Sequence, residues 1–208
     1  MPDAADHILE AKIRAAQRGP SLDGWIDELA AGTPAPGGGS AAALAGVIAA
    51  ALVAMVCRLT IGRKAYASVE SQAQEILQEA ENLRRMLRAQ VDDDAASYEA
   101  VMAAYRLRKD DPQRAGAMDR ALFVAAMTPL NTAQAAVTVG RLAQIVGAIG
   151  NKNVRSDATV AASLARSAAV GALENVRVNL EALSDPSLGA DLHQVVAGLE
   201  RELATPTS

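Results

Sequence analysis

From Ala41 to Cys57 the chain carries no charge, and within that run Ala42, Gly46, Ala50 and Ala54 recur every fourth residue. Small side chains at that interval form one stripe along an α-helix, on which a second helix can lie with its backbone close by. Such a helix needs neighbours on several sides, so the segment predicts the centre of a bundle. It is short for a membrane crossing and made largely of alanine, which inserts weakly into lipid, so burial in protein is the better reading. Composition agrees: half of the 208 residues are apolar, yet only 2% are aromatic. A core of Ala, Leu, Val and Ile fills space only where backbones approach closely, a condition met by packed helices rather than by stacked sheets. The expected fold is all-α, a helical bundle with long antiparallel helices.

Residues 1–20 are polar and Ala-rich, end at Gly19-Pro20, and read as a peripheral extension to a single helical domain over 21–208. Leu22, Trp25, Ile26 and Leu29 have helical spacing, with Ser21 as N-cap and Gly32 as stop. After TPAPGGGS a helix is expected from Ser40 to about Thr60, then a long one from about Ser68 to Leu107. A helix from Gln113 to about Met127 is expected to break at Thr128-Pro129, with Pro129 in the first turn of the next, which reaches Ile149. Gly150-Asn151 suits a left-handed turn, and Ser156 or Asp157 suits the cap of a helix from Ala158 to Leu183. LHQVVAGLEREL gives the last helix.

A formal net charge of −4 supplies no broad basic field, which argues against nucleic acid and requires any anionic ligand to be met by local basic residues. The single cysteine, Cys57, excludes an intramolecular disulfide, and MPDAADHILEAK lacks the basic-then-apolar pattern of a secretory signal; the cytoplasm is the expected compartment and no membrane partner is expected.

The long helix raises the chemical question. Its inward stripe runs Val69, Ala73, Ile76, Ala80, Leu83, Leu87, Val91, then 94, Tyr98, Val101 and Tyr105. Of the consecutive acids Asp92, Asp93 and Asp94, only Asp94 falls on it; the other two sit about 200° and 100° around the helix. A carboxylate on a packing face is either a paired structural anchor or a tuned general base, since burial disfavours its ionised form and a nearby cation restores it. Arg63 and Lys64 in TIGRKAY are the cation candidates, with a solvated turn as the competing reading. Gly37, Gly38 and Gly39 before a helix either expose its first amides to an anion or carbonyl oxygen, or permit close packing. Asn151, Asn153, Ser156 and Asp157 in GNKNVRSD both donate and accept hydrogen bonds, as a mixed-edge heterocycle requires, although capping competes for the last two. Asn175 and Asn179 read as structural, and Cys57, in an apolar run, as packing. His7 and His193 make no ligand pair, and neither a metal site, a Walker loop nor a dinucleotide fingerprint is present in the sequence.

Taken in order, PAPGGGSAAALAG, MVCRLTIGRKAY, the Asp94-to-Tyr98 segment, TPL, GNKNVRSD and NVRVNL resemble the cyclodeaminase/cyclohydrolase family, over about Leu22 to Leu183. That family contains the C-terminal domain of formiminotransferase-cyclodeaminase and stand-alone methenyltetrahydrofolate cyclohydrolases. The resemblance implies a homodimer that binds tetrahydrofolate and works at the carbon bridging N5 and N10, with no cofactor beyond that substrate. It marks Gly37, Gly38, Gly39, Ser40, Gly62, Lys64, Tyr66, Asp94, Asn151, Ser156 and Asp157; Pro36, Arg63, Tyr98 and Asn153 stand beside them as substrate-contact candidates. Asp94 is the expected base, Lys64 its expected partner. Thr128 and Arg177 depart from the family pattern, which is apolar at both. The MVC-x-LTIG-x-K-x-Y segment looks most like the stand-alone cyclohydrolases; the alternatives are a cyclodeaminase that releases ammonia and a non-catalytic helical scaffold or folate carrier.

Overall fold

A computed structural model describes residues 21–205, and the peripheral extension expected over 1–20 lies outside them. The chain divides at Gly37/Gly38 into two compact units. The first contains helix α1 (Leu22–Ala30), whose N-cap Ser21 accepts a hydrogen bond from the Gly24 amide at 3.1 Å. The second contains α2 (Gly38–Arg58), α3 (Glu70–Tyr105), α4 (Arg114–Ile149), α5 (Arg155–Glu181) and α6 (Ala190–Ala204), joined in part by short 3-10 turns at Lys64–Val69, Lys152–Val154 and Pro186–Gly189. Among the described residues there is no strand.

Helix α2 packs against α3, α4 and α5, the central position its small-residue stripe predicts. Ala50 and Ala54 are almost wholly buried, and a Cβ built on Gly46 would lie 3.1 Å from a Leu87 methyl carbon of α3. On another side, Gly171 of α5 comes within 3.6 Å of the Ala42 Cβ by the same construction. Gly39 faces Asp94 while Gly46 faces Leu87, so α2 and α3 run antiparallel. Arg58 near the far end donates to Glu81 at 2.9 Å, and Arg84 donates to the same carboxylate at 2.7 Å.

The expected break at Thr128-Pro129 does not occur: α4 is one helix of 36 residues with Pro129 inside it. Proline has no N–H, so the Ala125 carbonyl four residues earlier loses its helical donor. The side-chain amide of Asn179 on α5 donates to that carbonyl at 3.2 Å, which lets the helix run through. Two further expectations fail at the next turn. Gly150 has φ −82°, not a left-handed value, and α5 starts at Arg155, which places Ser156 and Asp157 inside its first turn rather than at its cap. The one positive-φ residue described is Gly62, at 74°. Tyr105, expected inside, is 59% exposed and lies under the Arg114 guanidinium, 5.1 Å from its ring centre.

Helices α2 and α4 are both long and apolar enough to cross a membrane, but 56% and 61% of their most apolar windows are buried in the bundle. The remainder of α2 is notable. Leu44, Ile48, Ala51, Leu52 and Met55 line its outward side, with Ile48 45% exposed, and that strip has no charge before Arg58.

Candidate active site

The sequence-predicted residues of the second unit gather at two places, one at each end of the α2/α3 pair. At the first, Asp94 is half-buried on α3, while Asp92 points outward to Arg88 at 2.9 Å and exposed Asp93 accepts from Gln90 at 3.2 Å. The helical phase read from the sequence therefore holds. The Asp94 carboxylate lies against the first turn of α2: a Cβ on Gly39 would fall 2.0 Å from Oδ1, so a side chain at that position and this carboxylate conformer exclude each other. Ser40, fully buried, shares its one hydroxyl proton between Asp94 Oδ2 at 2.9 Å and the Val91 carbonyl at 3.0 Å. The first amides of a helix have no intrahelical partner and carry partial positive charge, which favours an anion there. The close-packing reading of the glycines is realised at Gly39, where the absence of a side chain is what lets the carboxylate reach the helix start. Asn175 of α5 is 3.7 Å from a Cβ built on Gly38 and so borders this place, a position that reading it as structural did not anticipate. Tyr98, half-buried, follows Asp94 by one turn. Pro36 and Gly37 belong to the first unit, where a Cβ on Gly37 would meet the Pro34 carbonyl at 3.2 Å.

The second place joins TIGRKAY to GNKNVRSD. Buried Thr60 donates to the Val56 carbonyl at 2.8 Å and accepts from the Asn151 amide at 3.0 Å. Buried Asn151 donates its side-chain amide to the Leu59 carbonyl at 2.9 Å and accepts from the Asn153 amide at 3.1 Å. The Tyr66 hydroxyl accepts from the Lys152 amide at 3.0 Å. A Cβ on Gly150 would sit 2.5 Å from the Val146 carbonyl and 3.0 Å from Thr60 Oγ1, so only glycine lets this clasp close. Asn151 is therefore occupied in holding the turn. Lys64, Arg63, Asn153 and Ser156 stand exposed around it, with Asp157 half-buried. Thr60, the centre of the clasp, was not singled out from sequence: its neighbours in TIGRKAY carry the charge, and a threonine after an apolar helix looks like a terminus.

One expectation needs correction. Lys64 does not partner Asp94 within the chain: among the described residues no lysine or arginine forms an ion pair with Asp94. Asp94 abuts the start of α2, and Lys64 follows its end at Arg58. At 1.5 Å per residue, the two side chains are on the order of 30 Å apart. The sequence reading took nearness in the order of segments for nearness in space. Cys57 is fully buried, and burial pushes its thiol up to about 11, so it is a packing residue with no thiolate at neutral pH.

A family model described as formiminotransferase-cyclodeaminase matches residues 21–198. Methenyltetrahydrofolate cyclohydrolase of Methylorubrum extorquens is 40% identical over 186 residues, 88% of this chain and 89% of that protein. Formimidoyltransferase-cyclodeaminase of Sus scrofa is 31% identical over 87% of this chain, which spans only 34% of the length of that larger protein. Among solved structures, formiminotetrahydrofolate cyclodeaminase of Thermotoga maritima superposes with a TM-score of 0.82 at 28% identity, covering 89% of this chain and 91% of that one. A match over nearly all of the described residues, together with relatives above 30% identity, makes this chain a member of the formiminotransferase-cyclodeaminase family.

Proposed function

We propose that this protein is a methenyltetrahydrofolate cyclohydrolase that converts 5,10-methenyltetrahydrofolate and water to 10-formyltetrahydrofolate, reversibly, with Asp94 as general base. The observation that carries the reading is the Asp94 carboxylate set against Gly39 and held by Ser40 at the start of α2, in a chain 40% identical to a protein of that name. The methenyl bridge is a cation delocalised over N5, carbon and N10. An oriented carboxylate attracts that charge and takes a proton from the water whose oxygen bonds to the bridging carbon. The carbon–N5 bond then breaks as the hydroxyl gives up its proton to become the formyl oxygen; of the two water protons one ends on N5 and one leaves to solvent, and the formyl group stays on N10. Ser40 fixes the carboxylate at the start of α2.

The reading includes a homodimer, because the two groups of candidate residues are too far apart to serve one substrate within a chain. The uncharged outward strip of α2 is centred on Ile48, the middle of a helix running from Gly38 to Arg58. A twofold axis there crosses α2 with its copy in opposite directions. It brings Asp94 and Gly38–Ser40 of one protomer toward Lys64, Tyr66 and the 151–157 turn of its partner. Lys64 then stabilises the ionised Asp94 and the developing carbinolamine from across the interface.

Cyclodeamination of formiminotetrahydrofolate uses the same parts: the base takes the N10 proton as N10 attacks the formimino carbon, and ammonia departs with a proton. The likeness to the Thermotoga maritima cyclodeaminase keeps that reading as the second choice. The assay that separates them offers the purified protein each substrate, following loss of the methenyl absorbance and release of ammonia. Hydrolysis of the methenyl compound without ammonia from the formimino compound is expected. Turnover of the formimino compound alone overturns the first choice, and binding without conversion of either marks a carrier.

A further inference from the structure

Two asparagines stand one helical turn apart on α5, and the structure uses them differently. The Asn179 side-chain amide spends both of its N–H groups, one on the Ala125 carbonyl that Pro129 leaves without a helical donor and one on the Asn175 carbonyl at 2.9 Å. Asn175 spends only one, on the Gly171 carbonyl at 2.9 Å. That carbonyl lies inside α5, where the helix already gives it a backbone donor, so the bond rescues no orphaned group. Its effect is to orient the amide. A carbonyl accepts only from nitrogen, so the donor end of Asn175 is the end turned to Gly171, and Nδ2 is the atom 3.7 Å from a Cβ built on Gly38. Among the described residues nothing accepts its second N–H.

The next residue after Gly38 is Gly39, against which the Asp94 carboxylate rests. A neutral donor from α5 and a charged acceptor from α3 therefore border the same two residues at the start of α2, and neither glycine has a side chain to stand between them. Asn175 is half-buried, neither sealed in the core nor loose on the surface. Asparagine inside a helix is a poor choice on propensity alone, which leaves its amide as the reason for its place.

We propose that Asn175 is a further catalytic residue, whose second N–H donates to the oxygen that adds to the bridging carbon. The inference rests on the cyclohydrolase reading. Asp94 draws a proton from the attacking water, so that oxygen passes within hydrogen-bond reach of the carboxylate. When the carbon–N5 bond breaks, the same oxygen becomes the carbonyl oxygen of the formyl group. A donor already tethered beside it stabilises the charge that gathers there without having to reorient.

The experiment titrates full-length wild type, Asn175→Ala and Asn175→Asp calorimetrically with 5,8-dideazafolate and with its 10-formyl derivative. Carbon in place of N5 bars ring closure, so neither compound is turned over, and the two differ only in the formyl group. Wild type should hold the formyl compound the more tightly. Asn175→Ala should weaken that compound roughly fivefold to tenfold and leave the parent within about twofold. Asn175→Asp, nearly isosteric but without an N–H, should weaken it at least as much, which keeps the test decisive if the alanine variant misfolds by circular dichroism. Methenyltetrahydrofolate carries no such oxygen until water adds, so kcat should fall by about tenfold or more while KM stays within about twofold. Equal weakening of both compounds would mark a residue that only shapes the site, and it overturns the proposal, as does unchanged affinity or unchanged kcat in a folded variant. If wild type binds neither compound and turns over no folate, the folate reading itself fails and the proposal falls with it.

Discussion

Gly39 and Asp94 define each other. A methyl group at 39 cannot coexist with the observed carboxylate position, so Gly39→Ala should turn Asp94 away from Ser40 while the bundle persists. The expected result is a loss of kcat of roughly 100-fold or more, because displacing a catalytic group by about an ångström is costly to a reaction that depends on its placement. Unchanged far-UV dichroism with that loss is the predicted outcome, and near-wild-type turnover would remove Asp94 from the chemistry. The direction of Asp94 was legible in the sequence because a 3.6-residue period assigns faces. What it meets there was not, since periodicity is silent on the opposing helix: Ser40 is marked only by the family resemblance, and its hydroxyl is the group that holds the carboxylate. The same blindness hid Thr60, whose partner Asn151 is remote along the chain.

At the scale of elements, the error at Pro129 shows how a tertiary contact overrides a local rule. Proline removes a helical donor, which argues for a break, but an asparagine on the next helix, 54 residues beyond the Ala125 carbonyl, supplies a substitute. Asn179→Ala should therefore cost about 1–3 kcal/mol in denaturant unfolding at fixed protein concentration, since it leaves the Ala125 carbonyl unpaired. In a Pro129→Ala background residue 129 regains an N–H for that carbonyl, so the same substitution should cost clearly less. Equal losses in both backgrounds would show that Asn179 acts in some other way. Glu81 ties α2 to α3 by a different force: the guanidinia of Arg84 and Arg58 hold its carboxyl below the usual glutamate range. A carboxyl whose folded pKa lies below its unfolded value adds stability above the unfolded value and loses it as pH falls through the folded one. Glu81→Gln should thus be less stable than wild type at neutral pH, by no more than about 1 kcal/mol because both arginines are substantially exposed to screening solvent. The gap should close as the pH falls from the ordinary glutamate range through the lower folded value. A gap that persists in acid would mean that packing, and not charge, is what Glu81 contributes.

On the scale of the molecule, the sequence announced a helical bundle through its small-residue stripe and scarcity of aromatic residues, and the architecture followed. The spatial grouping of the candidate residues was not announced, because a helix of 21 residues carries its two ends roughly 30 Å apart while keeping them neighbours in a motif list. The exposed strip around Ile48 offers a physical resolution: an apolar face on the most apolar of the described helices, to which the proposal assigns the twofold copy. Ile48→Glu should yield a folded monomer by sedimentation, with turnover lost even though Asp94 and Lys64 are intact. A dimer that survives this change would place the interface elsewhere.

In the proposed dimer one catalytic site draws Asp94 from one protomer and Lys64 from its partner, and subunit complementation decides whether it does. Asp94→Asn and Lys64→Ala are each expected to be inactive alone. In mixed dimers a site built across the interface leaves one of two sites with both native side chains, and half of a statistical mixture is mixed dimer, so about a quarter of wild-type activity should return on subunit exchange. If Asp94 and Lys64 served the same site from one chain, every site in the mixture would lack one of them, and no recovery of turnover on mixing would contradict the account.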